Sequence, residues 1–270
     1  IVRPAALGDD AAVSAALSDQ ALQDLLEALF EAPAILKCAA LSAIAAGLYR
    51  WGIVRRRQAP DKVYRNEAIL FLAVLVTAGA ISQLGIALDT GSGHYSLLLL
   101  FSFLVYAALG ILLESNLIWV FALASLGGWM GTETGYMSGW GAYYLGMNYP
   151  LRFVLFGALL TGCALALEHH PIAQRFYRST LVMGLLYLFI ALWIMSIFGN
   201  YGDMNSWERV KQIELFHWSI LLAAVAGWAI YYGLRHDNDI TKGFGLTFLG
   251  INLYTRFFEL FWDNLHKAVF

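Results

Sequence analysis

Apolar residues in this chain do not alternate with polar ones at the two-residue period of a half-buried strand. They gather into long runs separated by short polar links. Eight runs stand out, at 34–54, 67–88, 95–113, 115–131, 151–167, 180–199, 215–234 and 244–262. A helix needs about 20 largely apolar residues to cross the hydrocarbon of a bilayer. Hydrocarbon offers no water to the backbone, and a helix satisfies its own N–H and C=O groups. The missing two-residue period argues against a membrane β-barrel. The pattern therefore predicts an all-α, polytopic transmembrane helix bundle with about eight membrane helices. Small residues recur inside several runs, at Gly79 and Ser82, Gly157 and Gly162, and Ala223 and Gly227. Such positions let neighbouring helices approach closely.

Residues 1–30 read differently. Asp9, Asp10, Asp19, Asp24 and Glu27 outweigh Arg3, and Leu22, Leu25, Leu26 and Leu29 recur at helical spacing after Ser18. This predicts an acidic N-terminal segment with a short amphipathic helix, followed by a transmembrane helical domain over 31–270.

Composition sharpens the picture. The chain is 60% apolar and only 13% charged. A soluble domain carries about a quarter of its residues as charges, so water is the wrong solvent for this surface. The formal net charge of −2 gives no pull on nucleic acid, and none is expected as a partner. Cys38 and Cys163 lie in apolar runs without a CxxC spacing and read as buried thiols. Orientation follows from Lys and Arg. The 50–67 link holds Arg50, Arg55, Arg56, Arg57, Lys62 and Arg65, which places it on the cytoplasmic side. Alternation then puts 114, 168–178 and 235–242 inside, and 89–94, 131–150 and 200–214 outside.

Candidate chemistry is sparse. The glycine-rich 131–150 link holds Glu133, Trp140, Tyr143 and Tyr144. It suits either a cap over a cavity, with aromatic rings lining a binding surface, or an interfacial loop at headgroup depth. Glu168, His169 and His170 do not make a metal site, because adjacent helical histidines point apart. In the 205–218 stretch, Asn205 with Glu208 fits a capping box, and Glu214 and His217 stand three apart, suited either to a simple interfacial polar pair or to a proton-sensitive one. The last run carries Arg256, Glu259 and Asp263 at i, i+3 and i+7, with Tyr254 and Asn252 one turn earlier and His266 and Lys267 beyond. A charge at the centre of a bilayer costs at least about 2.5 kcal/mol, which a partner within a bundle offsets, so such residues are candidates for function.

Two stretches, ISQLGIALDTGSGHYSLLLL (81–100) and NLYTRFFELFWDNLHKAVF (252–270), resemble the DUF2157 family of bacterial membrane proteins. The resemblance implies a bacterial inner-membrane protein. It marks Tyr254, Arg256, Glu259 and Asp263 as positions of interest without giving them a role.

The reading that follows is a membrane protein that moves or senses a small solute or ion through the polar stripe of Arg256, Glu259 and Asp263, with Tyr254, His217 and Glu214 as lesser members. The alternative is a scaffold or accessory subunit, in which the same ion pairs fix helix register. Its partners would be the lipid bilayer and either other membrane subunits or further copies of this chain. A lipid-modifying enzyme would need a nucleophile or metal cluster at the interface, and Ser, Cys and His are scattered. No catalytic residue, cofactor or metal is predicted.

Overall fold

The computed structural model describes residues 33–89, 91, 93–168, 174–210 and 212–265. Among them lie nine helices: α1 (Ala34–Gln58), α2 (Val63–Ala87), α3 (Ser96–Leu112), α4 (Asn116–Met137), α5 (Tyr149–Leu167), α6 (Gln174–Phe198), α7 (Met204–Glu208), α8 (Gln212–Arg235) and α9 (Asp239–Leu265). The only strand-like feature among the described residues is an isolated antiparallel bridge, Tyr144 to Met147. The expected helix and domain boundary within 1–30 lie outside the described residues.

The chain divides into two compact units, one ending at Gly93 and the other beginning at His94. In the first, α1 and α2 form an antiparallel hairpin. Arg55, Arg56 and Arg57 occupy the last turn of α1, where positive charge complements the helix dipole. The buried Asn66 donates from Nδ2 to the Ala59 carbonyl at 2.8 Å and closes the turn. Tyr49 and Thr77 share a buried hydroxyl–hydroxyl hydrogen bond at 3.1 Å.

The second unit consists of three antiparallel hairpins, α3–α4, α5–α6 and α8–α9, with α6 at the centre touching α4, α5, α8 and α9. Its core packs Leu181, Leu185, Phe189 and Leu192 of α6 against Leu222, Ala226 and Ala229 of α8 and Phe248 of α9. The α5–α6 crossing depends on glycine. A side chain at Gly157 would collide with the Leu188 backbone, and one at Gly184 with Thr161. Gly162 and Gly227, also expected at such contacts, face open space, as their positions fall on outward faces, whereas a side chain at Gly79 would meet Leu41 in ordinary contact.

Side-chain bonds define the two ends of this unit. At one end Arg175 pairs with Glu114 at 2.5 Å, Trp119 donates to Thr180 at 2.9 Å, and Asn238 donates to Tyr177 at 2.6 Å. At the other end the 138–148 loop bonds the segment after α6. Helices α3, α4, α5, α6, α8 and α9 thus run alternately between the two ends.

Polarity is inverted relative to a water-soluble domain. Leu155 and Leu159 of α5, Ile190 of α6 and Ile220, Leu221 and Trp228 of α8 face outward, whereas Thr161, Ser196, Ser219 and Asn252 are buried. Water disfavours that surface and lipid accepts it. Several buried hydroxyls are satisfied by their own helices, as in Thr161 to the Gly157 carbonyl and Thr180 to the Phe176 carbonyl, each at 2.8 Å, whereas Ser219 donates across to Asn252 Oδ1 at 2.7 Å. Among the described residues, five helical stretches are long and apolar enough to cross a membrane: Ala34–Gln58, Val63–Ala87, Tyr149–Leu167, Gln174–Phe198 and Glu214–Arg235. The protein is a multi-pass membrane protein. Helix α3 is apolar but shorter, and α4 and α9 are diluted by residues such as Glu133, Arg256 and Glu259.

Two expectations need correction here. Residues 131–137 are not loop: α4 continues through Met137, because Thr132 and Thr134 return their hydroxyls to helix carbonyls and Gly135 is packed inside. The cysteines are not buried. Cys163 is exposed and Cys38 partly so. Cys163 falls between the inward Thr161 and Ala164 on a helix whose outer face is itself apolar.

Candidate functional site

The 138–148 loop is built by its own backbone chemistry. Helix α4 ends in a turn where Gly139 and Trp140 adopt φ of 62° and 60°, and the Trp140 N–H returns to the Gly135 carbonyl at 2.7 Å. Tyr144 and Met147 then exchange both backbone hydrogen bonds at 3.0 Å across Leu145 and Gly146. Those two central residues have φ of 52° and 76°, the signature of a type I′ turn. Asn148 follows as the N-cap of α5, its side chain accepting from the Leu151 N–H at 3.1 Å.

Two asparagines join this loop to the segment after α6. Asn148 donates from Nδ2 to the Gly199 carbonyl at 2.8 Å and to the Tyr201 carbonyl at 3.3 Å. Asn200 accepts from the Asn148 N–H at 2.9 Å and donates to the Gly146 carbonyl at 2.9 Å. Beneath them lies Arg152, only 3% exposed. Its Nε donates to the Met147 carbonyl, Nη1 to the Thr134 hydroxyl and Nη2 to the Ala142 carbonyl, at 3.0, 3.2 and 3.0 Å. Its guanidinium also lies 4.4 Å from the Tyr149 ring centre. Among the described residues no carboxylate forms an ion pair with it; loop oxygens and an aromatic face compensate its charge instead.

This framework holds open a cleft of about 550 Å³. Trp140, Tyr149, Phe198, Tyr201 and Trp207 line it, together with Asn148 and one carboxylate, Asp203. Trp207 is fixed by donation from Nε1 to the Ile197 carbonyl at 3.0 Å and packs 5.2 Å from Phe198. Asp203 caps α7, accepting from the Ser206 N–H at 2.7 Å and hydroxyl at 2.8 Å. Ser206's hydroxyl and then its backbone N–H hold the Asp203 carboxyl below the ordinary carboxylate range. A second cleft of about 330 Å³, wholly apolar, adjoins the first along Tyr149, Pro150 and Ile194. Phe153, Leu186, Tyr187, Ile190 and Ala191 complete its wall.

The sequence-derived candidates fall in separate places. Arg256 (8% exposed) forms a two-point pair with Glu259, Nη1 to Oε2 at 2.5 Å and Nη2 to Oε1 at 3.0 Å. Nη2 also donates to the Ser196 carbonyl at 2.8 Å, clamping α9 to the end of α6. Nearby, Trp193 donates to Thr255 at 3.1 Å. Tyr254 is 65% exposed and points away from this pair. The Asp263 side chain and His266 lie outside the described residues, as do His169 and His170. Glu133 sits on α4, accepting from Ser96 Oγ at 2.5 Å and meeting His94 Nε2 at 2.9 Å, with the His94 ring stacked 3.9 Å from Tyr136. Of the loop aromatics, Trp140 lines the cleft. The Tyr143 hydroxyl donates to the Asn200 carbonyl at 3.1 Å, and the Tyr144 hydroxyl meets Met137 Sδ at 3.4 Å.

The 205–218 reading is corrected twice. Asp203 rather than Asn205 caps the short helix, and a separate helix begins at Gln212. Glu214 and His217 are no proton-sharing pair, since His217 Nδ1 meets the Glu214 backbone carbonyl at 2.7 Å. Among the described residues no three His, Cys, Asp or Glu side chains converge on a possible metal position.

Arg152, Asn148, Asn200, Asp203 and Trp207 drew no attention in the sequence. Arg152 carried a signal: it is an arginine one residue into an apolar run, the kind of position that marks function in membranes. Asn148 ahead of Tyr149-Pro150 also has the form of a helix start. No family model, curated protein or solved structure matches this chain, so the resemblance of 81–100 and 252–270 rests on those two stretches.

Proposed function

We propose that this multi-pass membrane protein binds a small solute in the cleft beneath the 138–148 loop, as a sensor or carrier. All eight long helices cross the bilayer in this reading. The seventeen-residue α3 spans about 26 Å at about 1.5 Å per residue, close to the hydrocarbon thickness. The basic 50–67 link faces the cytoplasm, and alternation puts the cleft on the outer side of a bacterial inner membrane.

One observation carries the reading: a cleft of about 550 Å³, rimmed by five aromatic rings and one carboxylate, adjoins an apolar cleft of about 330 Å³. Those volumes fall in the range of small-molecule sites, as does a largely apolar wall with few polar groups. The stripe on α9 serves this site indirectly by holding α9 on α6. The closed Arg256–Glu259 pair favours the second reading, a scaffold in which that pair only fixes register.

The test uses the chain in lipid nanodiscs and three probes of one chain length: octanol, octyl sulfate and octyltrimethylammonium. Saturable binding of at least one, beyond that to empty discs and lost in Ile194→Trp, is expected. Absence of saturable binding for all three, with the protein folded, contradicts solute binding and leaves the scaffold.

A further inference from the structure

We propose that the occupant of this site is a lipophilic organic monocation, with its ammonium head in the aromatic cleft beside Asp203 and its alkyl chain in the adjoining apolar cleft. The inference rests on the solute-binding reading and names the class of ligand.

Among the described residues, the wall of the larger cleft contains one charged side chain, Asp203; Arg209 acts electrostatically on that carboxylate but does not line the cleft. Its rings are Trp140, Tyr149, Phe198, Tyr201 and Trp207. Aromatic faces carry negative potential and attract cations, and Trp attracts most strongly. A group of rings with one carboxylate is the arrangement that recognises alkylated ammonium, whose charge is too weakly hydrated to favour water. The Asp203 carboxylate is oriented by Ser206, which uses one acceptor position on each oxygen and leaves others available.

An anionic head has no equivalent reception. Arg152 is buried behind Tyr149, with Nε, Nη1 and Nη2 each donating once to the loop or to Thr134. The Asn148 amide is spent on Gly199 and Tyr201, and Trp207 Nε1 on Ile197. A zwitterionic lipid headgroup would bring a phosphate to a wall whose described lining residues include no cationic donor. The chemistry selects a free cation over a phospholipid.

The apolar cleft sets the remainder of the ligand. It lies along the first turns of α5 and the second half of α6, from Tyr149 and Phe153 to Leu186 and Ile190. Both helices are long and apolar enough to cross a membrane. An alkyl chain here leaves water for a surface continuous with the bilayer side of the hairpin. A soluble ammonium without a chain would use only half the site.

Equilibrium binding to the full chain in phosphatidylglycerol nanodiscs tests this. Octyltrimethylammonium is expected to bind saturably and about tenfold more tightly than octanol or octyl sulfate, and tetramethylammonium to bind about tenfold more weakly than the octyl cation. Asp203→Asn keeps a capping side chain and removes the charge. It should weaken the cation about tenfold and leave octanol unchanged, and Trp207→Leu should weaken the cation as well. Equal or tighter binding of octanol or octyl sulfate overturns the cation while leaving a solute site. Loss of octyltrimethylammonium binding in phosphatidylcholine discs assigns the cage to a lipid headgroup and overturns the free ligand. No saturable binding of any probe removes the solute-binding reading itself.

Discussion

Two arginines are buried among the described residues, and they are compensated in different ways. Arg256 has a carboxylate three residues ahead on the same helix, with the Ser196 carbonyl beside it. Arg152 has loop carbonyls, a threonine hydroxyl and a tyrosine face. The first arrangement was legible in the sequence, because a spacing of three puts both side chains on one helix face. The second was not. Its acceptors are backbone oxygens at positions 142 and 147, which have no sequence signature. Breaking a buried pair leaves an uncompensated charge. Glu259→Gln should therefore cost about 3 kcal/mol of stability, and the double variant Arg256→Met/Glu259→Gln should recover most of it, as measured by unfolding in mixed micelles. Arg152→Lys keeps the charge but lacks the planar fork. It should leave the helices intact and raise proteolysis within 138–148 several-fold, measured by limited digestion in nanodiscs.

At the scale of elements, the turns and helix crossings carry the predictions. Leu145 occupies a left-handed position, φ 52°, where a side chain is strained. Leu145→Asn should stabilise the loop by about 0.5–1 kcal/mol, seen as a higher unfolding midpoint. Gly184 faces the Thr161 backbone, so Gly184→Leu should separate α5 from α6 and unfold the protein at a markedly lower temperature. The cap of α7 has a definite pH sign. Asp203 is held below the ordinary carboxylate range, so its contribution is complete above that range and is lost only as pH falls through the lower folded value. The protection of the Ser206 amide relative to the free-peptide exchange rate should persist through about pH 4, the ordinary Asp value, and fall only as pH drops through the lower folded value. In Asp203→Ala that protection should be lost throughout. The sequence indicated where helices lie because their apolar runs are long. It missed the α4 extension to Met137 and the α7 cap, because Gly, Thr and Ser suit helix ends and loops equally until their hydroxyls find a carbonyl.

At the scale of the molecule, inverted polarity places the chain in lipid. Leu155, Leu159, Ile220 and Trp228 face outward while Arg152, Arg256, Asn252 and Ser219 are inside. Length and low charge made the membrane legible before any packing was known. The cleft was not legible, because it forms only when 138–148 and the segment after α6 meet at one end of the second unit. The most direct measurement is reaction of single cysteines with a membrane-impermeant maleimide in intact spheroplasts, in a Cys38→Ala/Cys163→Ala background. Cysteines at Leu145 and Arg209 should be labelled together from outside, and those at Glu114 and His236 only after lysis. Labelling of Leu145 and Arg209 from opposite sides, or of all four positions in a chain released without detergent, would contradict the account.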